Sequence, residues 1–188
     1  MKNLKTLALI ALVAFSTTIS AQTKNVDLSK STITWVGKKV TGQHEGTIKL
    51  KAGAFFFKND KLTRGNFTVD MTSIQVTDLK AGEGKEKLEG HLKADDFFGT
   101  DKFATSSIAF KSVTPKANGV YTVVGDLTIK GIIKPITFDI TVKGNTATAK
   151  LTIDRTKYDI KYGSGSFFDN LGDKVIADNF DLTVSLQF

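Results

Sequence analysis

The C-terminal stretch "NFDLTVSLQF", residues 179–188, alternates apolar and polar side chains. Successive side chains of a β-strand point to opposite faces, so this period of two predicts a strand with one buried and one solvated face. The same alternation recurs in "GNFTVDMT", residues 65–72, and in "PITFDITV", residues 135–142. The pattern therefore predicts an all-β domain.

About eight segments of this kind follow one another along the chain. Some are linked by short turns, such as "KNDK" at 58–61 and "KGNT" at 143–146, with Asn, Asp or Gly where a hairpin needs positive φ. Strands joined to their sequence neighbours, each with one apolar face, predict an eight-stranded antiparallel up-and-down barrel. A two-layer sandwich is the alternative.

Two connections are long, residues 72–103 and 155–174, and each ends in a Phe-Phe pair: Phe97–Phe98 and Phe167–Phe168. Loops of this length in a compact domain usually carry function or structure of their own. In the first, "GEGKEKLEGHLKADDFFGTDKF" at 82–103 places Leu88 and Leu92 four residues apart, as in an amphipathic helix. We expect a short helix that caps one end of the barrel, with its terminal Phe-Phe pair over the barrel mouth.

The first residues have the features of a secretory signal peptide. Lys2 and Lys5 precede an apolar run at 7–15, and small and polar residues follow up to Ala21. The run is shorter than the roughly 20 apolar residues that span a bilayer, so a transmembrane anchor is not predicted. We expect a signal peptide at 1–21 and one exported domain at 22–188, in the periplasm or outside the cell.

Composition excludes several classes of function. The chain has no cysteine, which excludes thiol chemistry and thiolate metal sites. Its net charge is +7, or +5 without Lys2 and Lys5, and the remaining lysines are scattered rather than clustered. This distribution favours ordinary surface solvation over nucleic-acid binding.

The candidate chemical sites are weak. His91 and Asp95 would share a helix face, but the only other histidine, His44, has no neighbouring ligand motif, and a stable metal site needs three or four ligands. "YGSGSF" at 162–167 lacks the strand-to-helix flanks of a nucleophile elbow, although its Gly-Ser backbone could contact a phosphate. We predict no metal site and no enzyme. An enzyme acting on a lipid head group remains the alternative, and it requires perturbed carboxylates or the two histidines to converge at the mouth of the cavity.

The chain has a large supply of apolar side chains. It contains 14 phenylalanines, including three consecutive ones at Phe55 to Phe57. An eight-stranded barrel can be filled by its own side chains or can hold one small ligand. Sequence alone does not separate these two cases.

Five stretches resemble the YceI-like family of bacterial periplasmic proteins. They are "VDLSKSTITWVGKKVTGQHEGTIKL", "LEGHLKADDFF", "KFATSSIAF", "VVGDLTIKGIIKPITFDITV" and "IDRTKYDIKYG". The first holds a G-x-H-x-G segment around His44, and the fourth a G-D-L-T-I-x-G-x-x-x-P core. The chain departs from the family pattern at Ala104, where proline is common, and at Asp159, where glycine is frequent.

The resemblance implies a lipocalin-like barrel that binds a polyisoprenoid or another long-chain amphiphile, often as a homodimer, with no catalytic residues and no cofactor. Head-group recognition is expected at His44 and Arg155, which match family positions. A filled barrel acting through its surface in envelope stress or respiratory assembly is the alternative. The residues expected to line the cavity are Trp35, Phe67, Val69, Phe97, Phe98, Phe110, Leu127, Ile129, Ile136, Phe138, Phe168 and Phe180.

Overall fold

The structure is a computed structural model that describes residues 21–188, so the predicted signal peptide lies almost wholly outside it. The strands are β1 (Ala21–Asn25), β2 (Thr32–Lys39), β3 (Gly42–Lys58), β4 (Lys61–Val76), β5 (Thr105–Pro115), β6 (Val120–Ile129), β7 (Ile132–Lys143), β8 (Thr146–Asp154) and β9 (Ile176–Gln187). One α-helix, α1, covers Lys85–Lys93, and 3₁₀ turns lie at Ala117–Gly119, Arg155–Tyr158 and Gly172–Lys174.

The strands from β2 to β9 form a closed antiparallel barrel. Each pairs with its sequence neighbour, and β9 closes the barrel by pairing with β2. The short β1 pairs with residues 54–58 of β3, whereas β2 pairs with residues 42–48 of the same strand. β1 and β2 therefore pair with successive parts of the same edge of β3, so β1 does not add a ninth position to the barrel. The predicted eight-stranded up-and-down barrel is confirmed.

The hairpin turns have the predicted backbone. Asn59 and Asp60, between β3 and β4, both have positive φ, at 50° and 61°. Between β7 and β8, Gly144 has a φ of 57°. Such backbones match the twist of the flanking strands, which explains the residue types found there.

The capping helix is present, and it is fixed to β4 through Glu89. The Glu89 carboxylate accepts a hydrogen bond from the Val76 amide at 2.8 Å, and Lys85 Nζ donates to the Val76 carbonyl at 2.6 Å. Glu89 also lies 3.5 Å from Lys85 Nζ, four residues earlier on the same helix. After the helix the chain turns tightly, because the Phe97 and Phe98 amides bond to the Ala94 and Leu92 carbonyls.

The core consists of two apolar clusters, one toward each end of the barrel. The first, the phenylalanine cluster, contains Phe55, Phe57, Phe67, Phe110 and Phe188. The second, the cap cluster, contains Leu92, Phe97, Ile153, Tyr158 and Ile160, and it joins α1 and the 155–174 connection to the barrel.

Among residues 21–188, none of the helices is long and apolar enough to cross a membrane.

Candidate functional site

A cavity of about 200 Å³ lies inside the barrel between the two clusters. Its wall is almost entirely apolar and draws on β2 to β9, α1 and the loop that follows α1. A cavity of roughly 150 Å³ lined by apolar side chains stays dry and can bind benzene. The site is therefore suited to hydrocarbon and offers very little to a polar group.

Trp35 forms part of this wall with its polar atom already bonded. The indole Nε1 donates to the Thr47 carbonyl at 3.3 Å, so the ring faces the cavity as an apolar surface. Gly46 opposes Trp35 on β3, and a Cβ there would collide with the Gln75 carbonyl and lie 2.5 Å from Trp35 Cζ2. The second glycine of the G-x-H-x-G segment thus makes room for the tryptophan ring.

Aromatic rings line the cavity on the side of the phenylalanine cluster. Phe67 and Phe110, which line the cavity, lie 5.4 Å apart between ring centroids. Phe55 packs beyond them, with its ring 4.8 Å from those of both Phe67 and Phe188. These separations are typical of attractive aromatic pairs and leave this side well packed.

Phe97, which is 7 % exposed, belongs to the cavity wall on the side of the cap cluster. The Arg155 guanidinium carbon lies 5.6 Å from the centroid of its ring, and the His91 ring lies 5.5 Å from it. His91 is covered in turn by Tyr162, at 4.4 Å. Phe98 also lines the cavity and packs against Phe97 and Phe180.

Arg155 lines the cavity but directs its donors into the protein. It is 2 % exposed, and its three nitrogens donate to the carbonyls of Ala177, Ile160 and Ile176 at 2.7–3.0 Å. Burial lowers the pKa of the guanidinium, and the negative charges of Asp178 and Asp154 oppose this shift. Arg155 therefore ties the start of the 155–174 connection to its end. Contact with a head group stays a prediction that this placement does not favour.

His44 lies outside the cavity wall and pairs with Asp78, with 2.7 Å between Nδ1 and Oδ2. Asp78 also accepts from the Glu45 amide at 3.1 Å. Burial acts to raise the pKa of Asp78, but the hydrogen bonds from His44 and the Glu45 amide outweigh it and the pKa is lowered. The pair fastens the loop after β4 to β3, and its head-group role likewise stays a prediction.

The structure places ten of the twelve residues expected in the cavity around it. Phe168 is not among them, because its loop turns outward with the Phe168 amide bonded to the Ser164 carbonyl, and its side chain is 50 % exposed. Ile136 is also outside the wall and borders a separate pocket between β7 and β8. The ten that line the cavity are Trp35, Phe67, Val69, Phe97, Phe98, Phe110, Leu127, Ile129, Phe138 and Phe180.

Several wall residues were missed from the sequence although the alternation contained them. Leu182, Val184 and Leu186 lie on the same face of β9 as Phe180 and line the cavity with it. The alternation of β8 likewise puts Ala149, Leu151 and Ile153 in the wall. Once one inward residue of a strand is chosen, every second residue of that strand points inward too, and applying this rule along the whole strand would have found them.

The two histidines have different partners. His44 binds Asp78, whereas His91 stacks between Phe97 and Tyr162, so the two rings have separate surroundings. Within residues 21–188 there is no group of three or more His, Asp or Glu side chains that could hold a metal ion.

The family model described as YceI-like domain matches residues 25–188. The chain belongs to the YceI-like family. Curated relatives include a UPF0312 protein of Shewanella denitrificans, 34 % identical over 85 residues, which cover 45 % of this chain and 42 % of that protein. A UPF0312 protein of Staphylococcus aureus is 41 % identical over 85 residues, covering 39 % of this chain and 47 % of its own length. The matched region thus spans less than half of these relatives.

Solved structures of similar fold include BcnA of Burkholderia cenocepacia, with a TM-score of 0.63 and 24 % identity over 86 % of this chain and 98 % of BcnA. A polyisoprenoid-binding domain of Saccharophagus degradans has a TM-score of 0.58 and 13 % identity over 90 % of this chain and 97 % of that domain. The YceI protein of Campylobacter jejuni has a TM-score of 0.52 and 18 % identity over 98 % of both chains. At these identities the likeness establishes the YceI-like barrel and nothing finer.

Proposed function

We propose that this protein binds a long-chain isoprenoid or a similar amphiphilic lipid in the apolar interior of its barrel, and that it transports, stores or sequesters that lipid. The observation that carries the proposal is the cavity wall, which is apolar on all sides. Burial of apolar surface gives roughly 25 cal/mol per Å², so a hydrocarbon chain can be held without polar chemistry. The Saccharophagus degradans domain of the same fold is described as polyisoprenoid-binding, which supports the same ligand class.

The proposal is a binding protein and not an enzyme. Near the cavity, Arg155 bonds to three backbone carbonyls and His91 stacks between two rings. The Ser106 hydroxyl, which lines the cavity, and His91 Nε2 are buried without a hydrogen-bond partner among the described residues, so neither is paired with a base. Export to the periplasm or beyond, and assembly into a homodimer, belong to the same proposal. Export is supported by the signal-peptide features of residues 1–21.

The cavity as it stands is small for a long chain. Pockets for drug-sized ligands are commonly about 300–1,000 Å³, against about 200 Å³ here. A long chain must therefore displace wall side chains or extend out of the cavity. Phe98 and Phe180, both only partly buried and packed edge to face, are the side chains that we expect to move.

Trp35 provides the test because it is the only tryptophan and lines the cavity. Farnesol, a 15-carbon prenol, is titrated while the Trp35 emission is recorded. We expect a saturable shift in wild type and a strong loss of it in Ala149→Phe, in which a ring would occupy the cavity. Ile133→Ala, which changes a side chain that is 61 % exposed, is the matched control and should titrate as wild type. If farnesol does not change the Trp35 emission and equilibrium dialysis detects no binding, the proposal is wrong.

A further inference from the structure

The barrel wall is incompletely hydrogen-bonded between β7 and β8. These strands pair only through residues 140–143 of β7 and 146–149 of β8. β7 pairs with β6 along residues 132–141, and β8 pairs with β9 along its full length. Residues 132–139 and 150–154 thus face each other without cross-strand bonds, and this gap is called the seam. Pro135 lies in it, as expected for proline, which is confined to edges that need no N–H donor.

Tyr158 fills the seam from the 3₁₀ turn that follows β8. The residue is 1 % exposed, and its hydroxyl has no hydrogen-bond partner among the described residues. Burial, together with the nearby negative charge of Asp154, raises the pKa of Tyr158 to about 12, so the hydroxyl stays protonated at neutral pH. A buried hydroxyl without a partner costs free energy that a bound acceptor would recover.

A second pocket opens on the outer side of the seam. Its lining comes from β7, β8, the 3₁₀ turn and β9, and it includes both Tyr158 and Ile153. Ile153 also lines the barrel cavity. Asn179 is shared by the two linings as well, so two residues border both spaces and mark the place where a molecule in the cavity comes closest to the outer pocket.

The charged side chains of the outer pocket are Lys134, Lys157 and Asp154, with a net charge of +1. The Asp154 carboxylate is engaged by the Thr156 amide at 3.0 Å and hydroxyl at 2.6 Å, and it lies 3.7 Å from Lys157 Nζ. Lys134 forms no ion pair with any residue in the described part of the chain. The pocket thus offers one uncompensated ammonium group and the Asn179 amide as donors, and Tyr158, whose unpartnered hydroxyl is buried, lines it.

We propose that the outer pocket binds the anionic head group, a phosphate or a carboxylate, of the amphiphile whose chain occupies the cavity. The chain would pass through the seam beside Ile153 and Tyr158, with the head group held by Lys134 and the Tyr158 hydroxyl. The head-group proposal rests on the proposed function. It places the head group outside the cavity because the cavity wall is almost entirely apolar.

The test compares farnesol, farnesyl phosphate and palmitate by the Trp35 emission in wild type, Lys134→Ala and Tyr158→Phe. Lys58→Ala, an exposed lysine in the β3–β4 hairpin, is the matched control for lost surface charge. In wild type, farnesyl phosphate should bind about tenfold more tightly than farnesol, the gain from one charge-assisted hydrogen-bonded contact. Lys134→Ala should abolish most of that gain and Tyr158→Phe part of it, the gain being the ratio of the farnesyl phosphate affinity to the farnesol affinity within each variant. Circular dichroism confirms that each variant is folded.

The outcomes separate the two proposals. A loss with farnesyl phosphate alone supports a phosphate head group, and an equal loss with palmitate supports a site for either anion. If farnesol and farnesyl phosphate bind equally, or if Lys58→Ala weakens farnesyl phosphate as much as Lys134→Ala does, the head-group site is overturned while the cavity proposal stands. If no probe shifts the Trp35 emission, the cavity proposal itself fails.

Discussion

At the scale of single residues, Arg155 shows how a buried charge becomes structural. Its planar guanidinium donates to three backbone carbonyls at once, and the Phe97 ring centroid lies 5.6 Å from its carbon. Its position in a recognised motif predicted an important residue. Its partners could not be predicted, because one carbonyl belongs to the 155–174 connection and two to the start of β9, and their approach to Arg155 depends on the whole fold.

Arg155→Lys should destabilise the protein by about 2–4 kcal/mol, because an ammonium group keeps the charge but cannot bond all three carbonyls in the same geometry. Urea unfolding measures the change. Arg64→Lys is the control, since Arg64 is exposed, and it should alter the free energy of unfolding by less than about 0.5 kcal/mol. Equal effects of the two substitutions would contradict the structural role given to Arg155.

The two Phe-Phe pairs looked alike in the sequence, yet they have opposite surroundings. Phe97 is 7 % exposed and lines the cavity, whereas Phe168 is 50 % exposed. The difference arises from local backbone bonds that fold the first pair under α1 and turn the second outward. Backbone hydrogen bonds of this kind cannot be predicted from the pattern of apolar and polar residues.

Phe97→Ala should therefore cost about 3–5 kcal/mol in the free energy of unfolding, as for other buried phenylalanines. Phe168→Ala should cost less than about 0.5 kcal/mol, as for surface positions, and should leave farnesol binding unchanged. Thermal or urea unfolding of the two variants in parallel checks this. A Phe168→Ala variant that loses farnesol binding would restore the sequence-based assignment of Phe168 to the site.

At the scale of elements, the strands could be predicted from the sequence, but the residues over which neighbouring strands pair could not. Period-two alternation located most of the strands, and the turn residues located two hairpins, because both signals are local. The seam is not local, since it depends on where β7 leaves β8. Pro135 was the available signal, because a proline inside a strand indicates an edge without a ladder partner.

The link between β3 and the loop after β4 rests on Asp78, whose pKa is lowered by His44 and the Glu45 amide against the effect of burial. Stability from a lowered pKa is fully present above the unfolded value of about 3.9 and is lost as pH falls through the lower folded value. Asp78→Asn should thus cost about 1 kcal/mol at pH 7, the worth of a typical hydrogen bond.

Below pH 4 the difference between Asp78→Asn and wild type should shrink, because protonated Asp78 resembles asparagine. Urea midpoints measured for both proteins from pH 7 to pH 2 test this. A difference that stays constant down to pH 2 would show that the Asp78 charge does not contribute.

At the scale of the whole molecule, the sequence predicted a barrel with an apolar interior but could not predict the size of the space. A filled and a hollow barrel have the same alternation, and cavity volume depends on how rings such as those of Phe67 and Phe110 interlock. The resulting volume, about 200 Å³, limits how much chain fits without rearrangement.

Affinity for prenols should accordingly rise steeply with chain length and then level off. Each newly buried CH₂ contributes about 0.8 kcal/mol, and the gain ends where further carbons remain in water. Titrations of geraniol, farnesol and geranylgeraniol, followed by the Trp35 emission, give the series. Affinity that is independent of chain length would indicate binding at the surface and not in the cavity.

The central claim is that the barrel carries an apolar-chain lipid, and mass spectrometry of the lipids extracted from the natively purified protein tests it most directly. The protein is purified from the cells that produce it, without detergent, and its extract is compared with that of the Ala149→Phe variant. We predict a near-stoichiometric isoprenoid or other long-chain lipid in wild type and a strong depletion of it in the variant. An extract of wild type with no lipid above the level found in the variant would contradict the account.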